Sequence, residues 1–273
     1  MILPGATTDH VHFHKFLENF KFTPGVRVMP IGNALRKDIV GDFVSLTLEW
    51  FLIGLVVMQE DQIEKAVGDC PPLLVVYFQG HGIHTPDWST VKYITGDHRE
   101  DGALEGVAAE ELITMFSKLT ALTLTVALTD FCHAGNVFRL RFRLCIAQDG
   151  TGFWAESDEW YKDTKAGQKQ RITSPMLHVA ASLRHQQVYE TKKRGGYFTN
   201  GLAHSEAGDM TLTRFLLGLR RCVDDHLKDA KTHESGPLPK NAMQAPQIFC
   251  TGTPPLDDPE IFAKIRDGAT DLC

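Results

Sequence analysis

Apolar residues recur along this chain with two different periods. Residues 73–78 are continuously apolar or aromatic, as a strand covered on both faces requires, and residues 122–129 alternate Leu or Val with Thr. Residues 176–181 and 247–250 read as further buried strands. Helical spacing takes over elsewhere. Val11, Phe13, Phe16, Leu17 and Phe20 predict a helix over 9–20, and Val107, Leu112, Ile113 and Phe116 predict one over 105–119. Leu212, Phe215, Leu216, Leu219, Val223 and Leu227 form a longer stripe of the same kind. After the first helix a Pro-Gly turn leads to a short strand at 26–29, and 33–57 reads as helical, with Asn33 as its cap. Strand and helix alternate nearly throughout, which predicts an α/β fold whose largely parallel central sheet is flanked by helices. Residues 139–171 break the rhythm: Gly150, Gly152 and Gly167 among charges and aromatics predict a long loop between strands.

Composition narrows the function classes. With 273 residues, 43% of them apolar, the chain can build one large core, and it reads as a single domain over 1–273. A net charge of −6 gives no basic footprint for nucleic acid and suits a cationic substrate. The six cysteines show no C-x-x-C spacing, which points to reduced thiols in a cytoplasmic or nuclear protein. The N-terminus lacks the charged and apolar regions of a signal peptide. Residues 43–58 are too short for a bilayer span, which takes about 20 residues, and carry Glu49, so no membrane partner is expected. His10, His12 and His14 would share a face on a strand but diverge on a helix, so no metal is assigned to them.

Two reactive side chains sit where strands stop. His81 follows Gln79-Gly80, and Cys132 follows Asp130-Phe131, about fifty residues later. Neighbouring strand ends border the ligand crevice of an open α/β sheet, so the two can face one another. A thiol becomes a good nucleophile on losing its proton, and an imidazole can take that proton and return it to a leaving amine. The backbone N–H groups of Gly82 and Cys132 are candidate donors to the resulting oxyanion. Flanking glycines would let a substrate backbone come close. A buried structural cysteine with an incidental histidine is the alternative. His84 and His133 are weaker candidates for the base, because His133 adjoins Cys132 in sequence and would point away from it. His178 and His185 read as structural or solvated, and Trp154 and Trp160 as an apolar clasp under the loop.

These cassettes resemble those of the caspase-like cysteine peptidases, specifically the metacaspases. Tyr77-Phe78-Gln79-Gly80-His81-Gly82 is similar to Tyr-x-Ser-Gly-His-Gly, and Asp130-Phe131-Cys132-His133-Ala134-Gly135 is similar to Asp-x-Cys-His-Ser-Gly. Weaker likenesses follow in Val179 to Ser182, Gln187-Val188-Tyr189-Glu190, Gly195-Gly196-Tyr197-Phe198-Thr199 and Ala245-Pro246-Gln247. Upstream, Gly5-Ala6-Thr7-Thr8-Asp9 resembles the loop Gly-Cys-x-Asn-Asp.

The resemblance implies a caspase-like fold and a cysteine endopeptidase with Cys132 as nucleophile and His81 as base, acting on proteins or peptides in regulated proteolysis or cell death. It implies cleavage after Arg or Lys, with Asp9, Asp130 and Gln79 in the substrate pocket, Gln79 replacing the usual Ser. On their own, Asp9 also reads as a helix N-cap and Asp130 as a turn-capping acid. The loop at 139–171 falls where such enzymes carry a linker cut during maturation, which makes Lys162, Lys165, Lys169 and Arg171 autoprocessing candidates. The chain departs from the pattern in three ways. The first strand is truncated to residues 1–4, residues 43–58 exceed what the family needs, and the calcium ligands fall on Ala109, Glu110 and Arg139. No cofactor is therefore expected, calcium included. A catalytically inactive interaction module is the alternative function.

Overall fold

A computed structural model of the protein describes residues 5–22, 73–85, 90–98, 104–161, 171–206, 208–233, 238–239 and 241–269. The chain opens with α1 (Ala6–Asn19), and β1 (Leu73–Gln79) begins the main sheet. Next come β2 (His81–His84), β3 (Val91–His98) and β4 (Leu104–Ala108), then α2 (Ala109–Phe116) and β5 (Leu124–Asp130). A hairpin of β6 (Phe142–Ile146) and β7 (Gly152–Glu156) precedes β8 (Met176–Ala180). The two-residue strands β9 (Glu190–Thr191) and β10 (Gly195–Gly196) lead into α3 (Tyr197–Ala203). Last are α4 (Leu212–His233), β11 (Gln247–Cys250) and α5 (Ile261–Arg266).

The main sheet has six strands in the order β1-β5-β8-β11-β6-β7. Neighbours β1, β5 and β8 are parallel, while β11 is antiparallel to both β8 and β6, and β7 returns antiparallel to β6. The sheet is thus mixed, with a parallel core and four strands sharing one direction. Residues 1–4 and 26–58 lie outside the described residues, among them the expected short strand, helix and insertion. Among the described residues β1 is a sheet edge, and no helix is long and apolar enough to cross a membrane.

Both faces of the sheet are covered, which explains the unbroken apolar run of β1. Leu74, Val76 and Phe78 enter one core with α2 and the β2–β4 layer. Leu73, Val75 and Tyr77 enter the other with α1, α3, α4 and α5. α1 docks through Phe13, Phe16 and Leu17, with Phe13 stacked on Tyr77 at 4.4 Å between ring centroids. Truncating such a phenylalanine to alanine costs about 3–5 kcal/mol. Asp9 stands one helical turn before Phe13 and is carried inward on the same face.

Two sequence expectations need correction. Residues 105–119 are not one helix: β4 occupies 104–108, and the Glu111 carboxylate accepts the Ala108 N–H at 2.9 Å, starting α2 at Ala109. A Cβ on Gly106 would lie 2.7 Å from the Tyr93 carbonyl, so glycine lets β4 pair closely with β3. The loop expected over 139–171 is folded over much of its length. Phe142, Leu144 and Ile146 alternate with polar or smaller residues, and the connection between β6 and β7 turns at Gly150, whose φ is +87°. Residues 158–161 add a helical turn, and 162–170 lie outside the described residues.

Candidate active site

Parallel pairing in register sets Gln79 beside Asp130, so β1 and β5 end together. The Gly80 N–H extends the ladder one step by donating to the Asp130 carbonyl at 3.2 Å. Beyond it the chain turns into β2, so His81 opens a second strand rather than closing the first. Tyr93 donates its hydroxyl to the Gln79 carbonyl at 2.7 Å and packs its ring where Gly80 has no side chain. A Cβ on Gly82 would fall 2.0 Å from the Cys132 carbonyl, and one on Gly135 2.5 Å from the Arg184 nitrogen. These glycines therefore serve chain-to-chain approach, and the expectation that they make room for a substrate backbone is replaced. The Gly82 contact ties the His81 segment to the Cys132 segment, and the Gly135 contact ties the latter to Leu183 and Arg184.

Cys132 and His81 line one cavity together with Asp9, Gln79, Asp130 and Glu190. The cavity measures about 80 Å³. The Val188 N–H donates to the Cys132 sulfur at 3.4 Å. Burial pushes the thiol above its usual range, the Val188 N–H draws it back, and the Asp130 charge adds to the rise. His81 is pushed the other way, chiefly by burial, so its imidazole is neutral at physiological pH. Its enclosed Nε2 has no hydrogen-bond partner among the described residues. A neutral thiol and an imidazole with an unused nitrogen thus share a partly desolvated space.

Three carboxylates line the same cavity. Asp9, fully buried, accepts the Gly196 N–H at 2.7 Å and the Gln79 amide. It lies inside the first turns of α1, whose N-cap is Gly5, so the N-cap alternative for Asp9 is set aside. Asp130 accepts the Thr199 hydroxyl at 2.6 Å, and that hydroxyl is 2.7 Å from the Tyr77 hydroxyl. Glu190 accepts the Gly5 N–H at 3.0 Å. Burial and the neighbouring charge of Asp130 raise Asp9 to about 8. Burial raises Asp130 to about 6 against the Thr199 hydrogen bond, with Glu190 adding to the rise. Glu190 is itself raised by burial. Sequence reasoning left Glu190 inside a motif without a role of its own. Only the pairing of β9 with β10 and the arrival of Gly5 place it here.

The profile of the caspase domain matches residues 1–256. The chain belongs to the caspase-domain family. Two solved structures are similar at low identity. Caspase-1 from Spodoptera frugiperda shares 14% identity over 91% of this chain and 78% of that one, with a TM-score of 0.49. A protein from Geobacter sulfurreducens shares 16% over 85% and 95% respectively, with a TM-score of 0.44. No curated protein sequence matches.

Several other residues of this caspase domain now have places. His84 and His133 approach the Arg184 carbonyl at 3.0 Å each, with ring centroids 4.2 Å apart, and neither lines the Cys132 cavity. His133 takes a left-handed φ of +66°. His178 is buried against the Thr129 hydroxyl at 2.8 Å, and burial lowers it to about 3. His10 and His14 meet edge-to-face on one side of α1 while His12 turns toward Asn200. Among the described residues no group of His, Cys, Asp or Glu is arranged to hold a metal. Cys132, Cys145, Cys222 and Cys250 are all free thiols. Glu110 and Arg139, at positions matched to calcium ligands, form an ion pair with each other. Lys162, Lys165 and Lys169 lie outside the described residues, and the Arg171 guanidinium sits 4.0 Å over the Trp160 ring.

Proposed function

We propose that this caspase-domain chain is a cysteine endopeptidase of metacaspase type that cleaves proteins after Arg or Lys. One observation carries the reading: Cys132 and His81 share a single cavity with Asp9, Asp130 and Glu190. In this reading the reacting pair forms one end of the cavity and an anionic recess the other, and one extended peptide engages both. Opposed carboxylates reward a cationic side chain and reject an acidic one.

In the proposed reaction His81 takes the thiol proton as the Cys132 sulfur attacks the scissile carbonyl carbon. The oxyanion forms against the backbone N–H groups of Gly82 and Cys132. Collapse of the tetrahedral intermediate breaks the C–N bond, and the proton held by His81 leaves with the amine. Water then hydrolyses the thioester, with His81 again accepting a proton. Because burial keeps both partners neutral in the empty site, His81 acts as a true general base rather than as half of a standing ion pair. The same recess suits Lys162, Lys165 and Lys169, which are the proposed self-processing sites. Arg171, packed on Trp160, is the poorer target. Activity is proposed to need no calcium, since Arg139 already neutralises Glu110.

Alkylation of the native protein by a thiol reagent, mapped by mass spectrometry, tests the assignment. Cys132 should react before Cys145 and Cys222, and replacing His81 with alanine should slow it. Labelling of Cys132 no faster than the other two would favour an inactive interaction module.

A further inference from the structure

The three carboxylates line one cavity, and among the described residues none of them is paired with a cation. The position a Cβ would take on Gly196 lies 2.7 Å from Asp130 Oδ2 and 3.5 Å from both Asp9 carboxylate oxygens, so the two groups are at most about 6 Å apart. Glu190 reaches the same space from β9, anchored by the Gly5 N–H. Among the described residues every donor they accept from is neutral: the N–H groups of Gly196 and Gly5, the Gln79 amide and the Thr199 hydroxyl. Around them the titratable groups are Tyr77, behind Thr199, and Cys132, His81 and Tyr189 on the cavity wall. None of these carries positive charge at neutral pH, since burial holds His81 in its neutral form. Among the described residues no Lys or Arg side chain pairs with any of the three carboxylates.

We infer that the empty pocket holds a proton among Asp9, Asp130 and Glu190 and that an arriving Arg or Lys side chain expels it to solvent. This rests on the recess being the pocket for the residue before the scissile bond. Like charges in a desolvated space titrate as a group, and the proton stays until a counter-charge makes full ionisation favourable. Burial and the Asp130 charge raise Asp9 to about 8, which makes Asp9 the main holder. A guanidinium then takes the place of the proton and meets several acceptors in a fixed fork. Affinity for a basic residue therefore rises with pH across the neutral range, by linkage, while affinity for a neutral isostere does not.

Calorimetry on the full chain carrying Cys132→Ala tests this with two matched peptides, one with Arg and one with citrulline before the scissile bond. Each is titrated at pH 7 in phosphate and in Tris, whose ionisation enthalpies differ. The expected result is release of about one proton per bound Arg peptide and none for citrulline. Adding Glu190→Gln, which keeps an acceptor for Gly5, should reduce the release and weaken the Arg peptide about five- to tenfold, leaving citrulline unchanged. Asp9→Asn should reduce the release most. Preferred binding of the Arg peptide with identical heats in both buffers overturns the proton linkage while leaving the proposed specificity intact. Equal binding of Arg and citrulline peptides overturns both.

Discussion

The two ends of the cavity are built in opposite ways. At the acidic end each carboxylate is tied to a neighbour: Asp9 to Gly196 and Gln79, Asp130 to Thr199, Glu190 to Gly5. At the proposed reacting end the Cys132 sulfur receives one N–H, and the enclosed Nε2 of His81 has no hydrogen-bond partner among the described residues. One end has its acceptors hydrogen-bonded in place and the other keeps bonding capacity open. Recognition gains from groups fixed before the ligand arrives, whereas a proton relay needs acceptors that stay vacant until the reaction begins.

Changes at the reacting end should cost the most. Cys132→Ala and His81→Ala should each lower kcat/KM at least about a thousandfold without unfolding the protein, and the double variant should be scarcely worse. Peptide-cleavage rates alongside circular dichroism check this; additive losses would show that the two side chains do not act together. At the acidic end Asp130→Asn keeps the shape and removes the charge. It should lower kcat/KM on an Arg substrate by about 30- to 300-fold. Matched Arg-ending and Asp-ending substrates provide the readout, and equal losses on both would break the contrast between recognition and reaction.

Smaller effects sharpen the comparison further. Asp9 titrates near 8 in the folded protein and near about 3.9 in an unfolded chain, so between those values the folded state holds a proton that the unfolded state has released. Stability then falls as pH rises through that window. Asp9→Asn should flatten the decline, raising Tm at pH 8 by about 2–4 °C for each ~1 kcal/mol relieved and much less at pH 5. A parallel shift at both values would assign the effect to packing. Smallest of all should be the response to calcium, because the half-exposed Glu110–Arg139 pair already balances its own charge. Activity in excess chelator and in calcium should agree, and a large reversible stimulation would contradict this.

Much of the architecture was legible because burial on two faces leaves an unbroken apolar record. β1, β5, β8 and β11 lie in the parallel core or next to it, and their buried residues announce them. The β6–β7 hairpin is half-exposed, so Arg143 and Glu156 dilute its alternation and only Leu144 is fully enclosed. β2 is four residues of His, Gly and Ile, too short to show a period. Asp130 and Cys132 stood out through local motifs. Glu190 reaches the cavity from a two-residue strand and is held by Gly5, 185 positions away, and no local pattern encodes such a meeting.

In the proposed activity one cavity joins a Cys132–His81 reaction to recognition of a basic residue. Mass-spectrometric mapping of cleavage sites in a mixed peptide library, incubated with the wild-type protein and with Cys132→Ala, tests both halves at once. Cuts after Arg and Lys are expected in the wild type and none with Cys132→Ala. Cuts after Asp, or cuts that persist with Cys132→Ala, would contradict it.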